Sequence, residues 1–273
     1  MIKTFDSIAA LLAYGESVNA FQHADEHGGE ASEWYGGETT SDTRHKTRMG
    51  DTALVPEAER LLDKLDQTIE TTKREWDRSP AGAFIMVPEA IVGLPTPARR
   101  AVYRADEHSP ITILVCSTSS AGISADTLMK RGVTILALTM ALARIRPVSL
   151  HTISLLDGND AAGETVFCSR ITTDPLDLAT ATYVLTSAGY DRRLCHGIAY
   201  AVNGYRGSWP RKFIYSRPDA YYKYLAETLA PDPSRTLVIG SAQLGDELLQ
   251  TPLVWIDKQI KRFTTQVEEE LIQ

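Results

Sequence analysis

The chain has 273 residues, of which 43% are hydrophobic and 23% are charged, and its formal net charge is −7. This composition indicates a protein that is globular over most of its length, with one large core or a medium core plus a smaller module. The acidic balance argues against a broad, non-specific grip on phosphates, although a local basic stripe is compatible with it.

The cysteines and the apolar runs limit the cellular setting. Cys116, Cys168 and Cys195 lie far apart and form no CxxC pair, so neither a zinc knuckle nor a disulfide framework is predicted. No run approaches the roughly 18 apolar residues of a membrane span, and residues 1–20 mix polar, acidic and apolar positions, unlike a signal peptide. We therefore predict a cytoplasmic protein with no membrane attachment.

Residues 1–110 have a different texture and are predicted to form an N-terminal, mainly helical accessory module. Apolar positions recur at helical spacing over residues 5–12, with Asp6 or Ser7 as the cap. Residues 18–50 are rich in glycine and poor in aliphatic side chains, which predicts a flexible segment or one that is ordered on contact. Residues 56–76 predict an amphipathic helix whose apolar stripe ends at Trp76, and residues 81–88 a short strand.

From residue 111 onward, apolar runs of strand length alternate with stretches of helical length. The predicted elements are strand 111–116, helix 126–145, strands 148–156 and 164–171, helices 177–188 and 191–202, strand 212–216, helix 218–228, strand 236–240 and helix 252–271. This alternation predicts an α/β domain over residues 111–273, with a mostly parallel central sheet flanked by helices. The turn residues 157–160 predict a hairpin, and hence one antiparallel edge strand.

The run ITILVCSTSS, residues 111–120, ends an apolar strand in a cluster of hydroxyl residues just ahead of a helix. It resembles the first strand and metal-site loop of von Willebrand factor A (vWA) domains, whose pattern is Asp-x-Ser-x-Ser. Cys116 stands at the Asp position, and Thr118 and Ser120 stand at the hydroxyl positions. The order of elements over residues 111–271 is also similar to the vWA, Rossmann-like arrangement. The segment AGAFIMVPEAIVG resembles part of tailed-bacteriophage proteins that carry a similar module ahead of a vWA-like half.

The vWA resemblance implies a divalent cation held by a strand-end Asp, two hydroxyls of the same loop, a Thr from a second loop and often an Asp from a third. Thr173, in ITTDPLDLA, matches the second-loop position, although a Thr or Asp ahead of Pro175 also suits a helix cap. The carboxylate nearest to the third position is Asp246. Because Cys116 offers a soft ligand where magnesium requires hard oxygen, we predict a degenerate site with no resident cation or cofactor.

A loop without a metal can still bind a partner. Thr118, Ser119 and Ser120, with Thr173, are the predicted partner-binding residues, since hydroxyls beside a helix N-terminus favour an acidic group. The alternative is that these hydroxyls only satisfy their own backbone. The resemblance implies a non-enzymatic, phage-encoded adaptor in the host cytoplasm, with a protein partner such as an AAA-type ATPase.

The sequence lacks the spaced motifs of several common enzyme classes. The sequence has no GxSxG elbow, GxxxxGK[ST] phosphate loop, GxGxxG or HExxH. Cys116 with His151 or His196 as base is the remaining thiol-enzyme hypothesis, and buried, inert side chains are the simpler interpretation. We therefore predict no enzymatic activity.

A second function class rests on the segment that joins the later elements. Aromatic and cationic residues interleave there, as in proteins that bind single-stranded nucleic acid: Tyr205, Arg206, Trp209, Arg211 and Lys212. A protein of this class could recruit a phage polymerase to its template during transcription or replication. The competing interpretation is a tyrosine-rich helix that packs its rings on the sheet.

Overall fold

The fold is described from a computed structural model. The described residues are 2–22, 25, 33–66, 76–79, 84–85, 98–101, 110–119, 122–144, 146–156, 165–173, 175–203 and 219–271. Within these ranges, the helices are too short or too polar to cross a lipid bilayer.

The described strands and helices fall in the following chain order. The strands are β1 (Ile2–Phe5), β2 (Trp76–Ser79), β3 (Phe84–Ile85), β4 (Ala98–Ala101), β5 (Ile111–Cys116), β6 (Val148–Leu156), β7 (Thr165–Ile171) and β8 (Thr236–Ile239). The helices are α1 (Ile8–Ser17), α2 (Thr40–Met49), α3 (Val55–Asp66), α4 (Ala125–Ala143), α5 (Leu178–Thr186), a π-helix (Tyr190–Cys195), α6 (His196–Asn203), α7 (Asp219–Leu229), α8 (Glu247–Gln250) and α9 (Pro252–Leu271). Short 3₁₀ turns occupy Glu33–Tyr35 and Pro233–Arg235.

A five-stranded mixed sheet forms the centre of the fold, in the order β1-β7-β6-β5-β8. Strand β5 is parallel to both β6 and β8, and β7 runs antiparallel to β6. All six residues of β5 are buried, as expected for an interior strand of a sheet covered on both faces. The predicted α/β class with a mostly parallel, helix-flanked sheet is confirmed.

The two faces of the sheet bury different amounts of apolar surface. Ile113 and Val115 of β5 point into a large core that includes side chains from α1, α3, α4, α5, α6 and α9. Leu114 and Cys116 alternate to the other face, where a smaller cluster forms against Leu225 of α7. Because successive side chains of β5 point to opposite faces of the sheet, this one strand contributes to both cores.

Helix α4 crosses the larger core at close range to α5. At Gly132, a Cβ atom would lie 2.2 Å from the carbonyl oxygen of Leu185, so only glycine permits this approach of the two helices. Thirteen residues of α4 are buried, which explains why its sequence is apolar on nearly all sides.

Two predictions about these elements were wrong. The antiparallel strand β7 is not at the edge, because the short strand Ile2–Phe5 pairs with it in parallel and takes that position. Trp76 opens strand β2 instead of closing a helix, and the described part of α3 is Val55–Asp66. Within residues 18–50, which were predicted to be flexible or ordered on contact, Thr40–Met49 is a regular helix with a capping box between Thr39 and Asp42.

Residues 1–110 contain strands as well as helices. Strands β2, β4 and β3 form a small antiparallel sheet in that order. Strand β1 belongs to the main sheet, and helices α1 and α3 pack in the same core as α4. The division of the chain at residue 110 stays a prediction, and the predicted strand 212–216 lies outside the described residues.

Candidate functional site

The candidate site lies at the carboxyl edge, by which we mean the edge of the main sheet where β5, β6 and β8 end. The loop after β5 carries Thr118 and Ser119, whose side chains are 0% and 2% exposed. The Thr118 hydroxyl donates to the carbonyl oxygen of Leu155 at 3.2 Å and accepts from the N–H of Leu155 at 2.7 Å. Thr118 thus extends the pairing of β5 with β6 through its side chain.

Ser119 connects the loop to two other parts of the edge. Its backbone forms an isolated parallel bridge with Ala242, in the loop after β8. Its hydroxyl donates to Oδ2 of Asp191 at 3.2 Å, and its backbone N–H also donates to that carboxylate. The loops after β5 and β8 and the π-helix therefore meet at Ser119.

Asp191 is a carboxyl group inside the protein, with 2% of its surface exposed. Burial raises the pKa of Asp191 to about 7, while the guanidinium of Arg192 and the bonds from Ser119 act in the opposite direction. The imidazole of His196 lies 3.8 Å away, but burial lowers the pKa of His196 to about 3, so this contact joins a carboxyl group to a neutral ring. Asp191 consequently gains and loses its proton near neutral pH.

Two buried arginines hold the loops of the carboxyl edge. Arg131 of α4 donates to the carbonyl oxygens of Cys116 and Gly240. Cys116 is the last residue of β5, and Gly240 directly follows β8. Arg192 donates to the Ser119 hydroxyl at 3.3 Å and to the carbonyl oxygen of Ile123 at 2.5 Å. Each guanidinium donates to carbonyl oxygens at or just after the ends of strands. The several N–H donors of an arginine side chain allow it to bind more than one such oxygen.

The π-helix also ties the N-terminal part of the chain to this edge. Arg192 donates to the carbonyl oxygen of Trp34 at 2.7 Å. Arg193 is 0% exposed and donates to the Thr40 hydroxyl at 2.8 Å and to the carbonyl oxygen of Glu38 at 3.1 Å. Adjacent arginines therefore grip the loop after β5 and the segment that leads into α2.

The thiols of Cys116 and Cys168 are buried, and their environments favour the protonated form. The sulfur of Cys116 bonds to the Ser241 hydroxyl at 3.2 Å, and burial raises the pKa of the Cys116 thiol. His151 contacts the Ser149 hydroxyl at 2.9 Å and lies 3.9 Å from the sulfur of Cys168. Burial raises the pKa of Cys168 to about 11, so this thiol stays protonated at neutral pH.

Positive charge lies beside the buried carboxyl group of the carboxyl edge. Asp191 is accompanied by the guanidinium groups of Arg131 and Arg192. Over the described ranges, no group of three or more His, Cys, Asp and Glu side chains is placed to hold a metal ion. The two guanidinium groups oppose the binding of a divalent cation at this carboxyl group.

The predicted partner-binding residues do not come together. Thr118 and Ser119 share the carboxyl edge, and Ser120 lies outside the described residues. Because Ile171 pairs with Leu150, Thr173 lies beyond the opposite edge of the sheet, about 20 Å from Thr118 at 3.3 Å per residue. There Thr173 pairs with Leu176, and the helix cap is Asp177, which follows Pro175 instead of preceding it as the capping interpretation predicted.

The predicted nucleic-acid set falls outside the described residues. Those residues are Tyr205, Arg206, Trp209, Arg211 and Lys212. Of the tyrosines that follow them, Tyr221 and Tyr222 pack against the smaller core. The Tyr222 hydroxyl accepts from the N–H of Ser241 at 3.2 Å, which connects α7 to the loop after β8.

Sequence reasoning missed Asp191, Arg192 and Arg131, which dominate the electrostatics of the site. The signal was present, since the charged run DRR interrupts an otherwise apolar stretch between Ala188 and Val202. Charges within an apolar helical run are expected to be paired inside the protein. What the sequence could not give was the π-helical geometry that turns consecutive charges toward different partners.

Comparison with known proteins gives one match. No curated protein and no solved structure matches the chain. A family model described as a domain of unknown function, DUF7192, matches residues 1–224, which include β1, the central strands and the π-helix. The chain therefore belongs to the DUF7192 family.

Proposed function

We propose that this protein is a non-enzymatic, vWA-like adaptor that contacts a protein partner through the loops of its carboxyl edge. The vWA-like assignment is supported by the interior position of β5 between two parallel strands, by the helix α4 that follows it and by the antiparallel pairing of β6 with β7. The predicted lack of a cation is supported by Arg131, whose guanidinium occupies the end of β5 and β8.

The observation that carries the proposal is Leu244, which is 65% exposed in the loop after β8. The backbone around it is fixed, because Gln250 donates to the carbonyl oxygen of Leu244 at 3.1 Å and Asp246 accepts from the N–H of Gln243 at 2.9 Å. A leucine on a pre-ordered loop can enter a partner's pocket without the entropy loss of ordering that loop. The backbone bridge between Ser119 and Ala242 joins this loop to the loop after β5.

The absence of activity is also part of the proposal. The proposal is supported by the Cys116 thiol, which burial keeps protonated, and by the buried His196 imidazole, which stays neutral. An AAA-type ATPase is among the partners that the vWA resemblance implies, and the host cytoplasm is the setting proposed for this contact. A phage polymerase is the partner proposed for the alternative, nucleic-acid-binding function.

The proposal is tested by affinity capture with the full chain from the cells that express it. The variant Leu244→Glu places a charge on the proposed contact, and Met49→Glu is the matched control, since Met49 is 64% exposed on α2. We expect a protein that is recovered by the wild type and by Met49→Glu but at least tenfold less by Leu244→Glu. Equal recovery by all forms would contradict the proposal that the partner binds at the carboxyl edge. Salt-sensitive recovery of nucleic acid would favour the alternative function.

A further inference from the structure

A small polar cavity lies under the carboxyl edge, between β5, β6, α4 and the start of the π-helix. It is lined by Val115, Ser117, Leu128, Arg131, Thr152, Val184, Leu185, Ser187 and Asp191. It has about 10 Å³ of room for the centre of a water molecule. One water needs roughly 10–15 Å³ by this measure, so the cavity has room for a single small molecule.

Two of the lining residues each carry one polar atom that takes no part in the hydrogen bonds described above. Nε of Arg131 and Oδ1 of Asp191 are buried and have no hydrogen-bond partner among the described residues. The other atoms of both groups are engaged, since Arg131 binds the strand-end carbonyl oxygens and Asp191 Oδ2 binds Ser119. A buried donor and a buried acceptor that remain unpaired each cost on the order of 1–3 kcal/mol.

We propose that this cavity is a binding site for one structural water, which accepts from Nε of Arg131 and donates to Oδ1 of Asp191. The second hydrogen of the water faces the hydroxyl oxygens of Ser117 and Ser187, which line the same space. Ser117 already bonds to Ser154 at 2.8 Å, and Ser187 donates to Glu38 at 3.0 Å, so each has a lone pair left for the water. The water thereby has the two to four polar partners that buried waters require.

The charges around the cavity select a neutral ligand. A metal cation would lie beside the guanidinium of Arg131, and an anion would lie beside the carboxyl group of Asp191. Each ion would therefore be repelled by one wall, whereas water presents a lone pair to the donor and a hydrogen to the acceptor. The cavity is also too small for an organic group.

The direct test is a high-resolution crystal structure of the full chain. We expect electron density for one ordered water within hydrogen-bond distance of both Arg131 Nε and Asp191 Oδ1. A cavity without density would overturn the proposal, and so would a direct contact between the two side chains that closes the space.

A solution test uses oxygen-17 relaxation dispersion, which counts water molecules with long residence times. Val115→Ile adds one methylene to the wall of the cavity and is expected to lower the count by one relative to the wild type. Val166→Ile is the matched control, because it makes the same change in the smaller core on the other face of the sheet. Equal counts for the wild type and a folded Val115→Ile would refute the site. If Val115→Ile fails to fold, the wild-type crystal structure decides the question by itself.

Discussion

The two edges of the main sheet carry loops of similar composition that behave in opposite ways. The amino edge is the opposite end of the sheet, where β5, β6 and β8 begin and the antiparallel strand β7 ends. There the loop after β7 exposes Asp177, which caps α5 by accepting from the N–H of Thr180 at 3.0 Å. At the carboxyl edge, Thr118 and Ser119 are buried and bond to β6 and to Asp191. Ser, Thr and Asp side chains therefore form hydrogen bonds to nearby residues in the exposed loop. In the buried loop, which the π-helix covers, they form hydrogen bonds to residues far away in the sequence.

The largest effect is expected from Arg192→Met at the carboxyl edge. The change removes one of the two guanidinium groups beside Asp191, together with the hydrogen bonds to the carbonyl oxygens of Trp34 and Ile123. Hydrogen bonds from a charged group contribute about 1.5–3 kcal/mol each, so their loss is expected to lower the free energy of unfolding by about 3–5 kcal/mol. Urea denaturation measures this, with Arg170→Met, an exposed arginine of β7, as the control expected to stay within about 0.5 kcal/mol. Similar losses for both variants would mean that the buried cluster is no more important than the surface.

The next effect is a pH dependence that belongs to Asp191. Its pKa rises from 3.8 in the unfolded chain to about 7 in the folded protein, so the folded state retains a proton that the unfolded state has lost between these values. This contribution to stability is complete below about pH 4 and is lost as the pH rises through about 7, by on the order of 4 kcal/mol.

Asp191→Asn isolates that contribution, because the amide does not titrate. We expect the free energy of unfolding of the variant, relative to the wild type, to increase from about pH 4 to about pH 7 and then to level off in urea titrations. His151 opposes this trend in both proteins, since burial lowers the pKa of His151 to about 4 and favours the folded state as the pH rises toward 6.5. The effect of His151 cancels in the difference, so a difference that does not change with pH would contradict the buried, titrating carboxyl group.

A smaller effect is expected from Thr118→Val, which keeps the shape of the side chain and removes its hydroxyl. The N–H and carbonyl oxygen of Leu155 then lose their partner inside the protein. Buried groups left unpaired cost about 1–3 kcal/mol, and Thr118→Ser is expected to recover most of that loss because it keeps the hydroxyl. Equal destabilisation by Val and Ser would assign the effect to packing rather than to hydrogen bonding.

The smallest effect belongs to the amino edge. Asp177→Ala removes the cap of α5 and is expected to lower the free energy of unfolding by about 1 kcal/mol. Asp177→Asn is the control and should change it by only a few tenths, because Asn caps about as well as Asp. A loss as large as that of Arg192→Met would remove the distinction between the two edges.

The sequence predicts the long, strongly patterned elements and misses those made by tertiary contact. Strands 111–116 and 148–156 and helix 252–271 have the predicted bounds, because each is long and its hydrophobic pattern is clear. Strand Ile2–Phe5 was missed, since four residues carry little pattern and only the free edge of β7 makes them a strand. Helix Thr40–Met49 was missed because it is polar nearly throughout and depends on a capping box.

The sequence predicts where the candidate site lies but not all of the residues that form it. The carboxyl edge of β5 was identified, because a strand that ends in hydroxyl residues before a helix marks such an edge. Thr173 was assigned to it wrongly, since the antiparallel direction of β7 carries that residue to the far edge. Asp191 and its arginines come from a separate helix, and no local pattern shows that they reach Ser119.

The π-helix Tyr190–Cys195 makes the site sensitive to chain length. Its wide turns direct Arg192 toward the loop after β5 and Arg193 toward the segment before α2. Deletion of one residue within this stretch would restore ordinary α-helical spacing and rotate one arginine by about 100° around the helix axis, away from its partners. Members of the family are therefore expected to tolerate side-chain exchange here more readily than an insertion or a deletion, and alignment gaps should avoid these six positions.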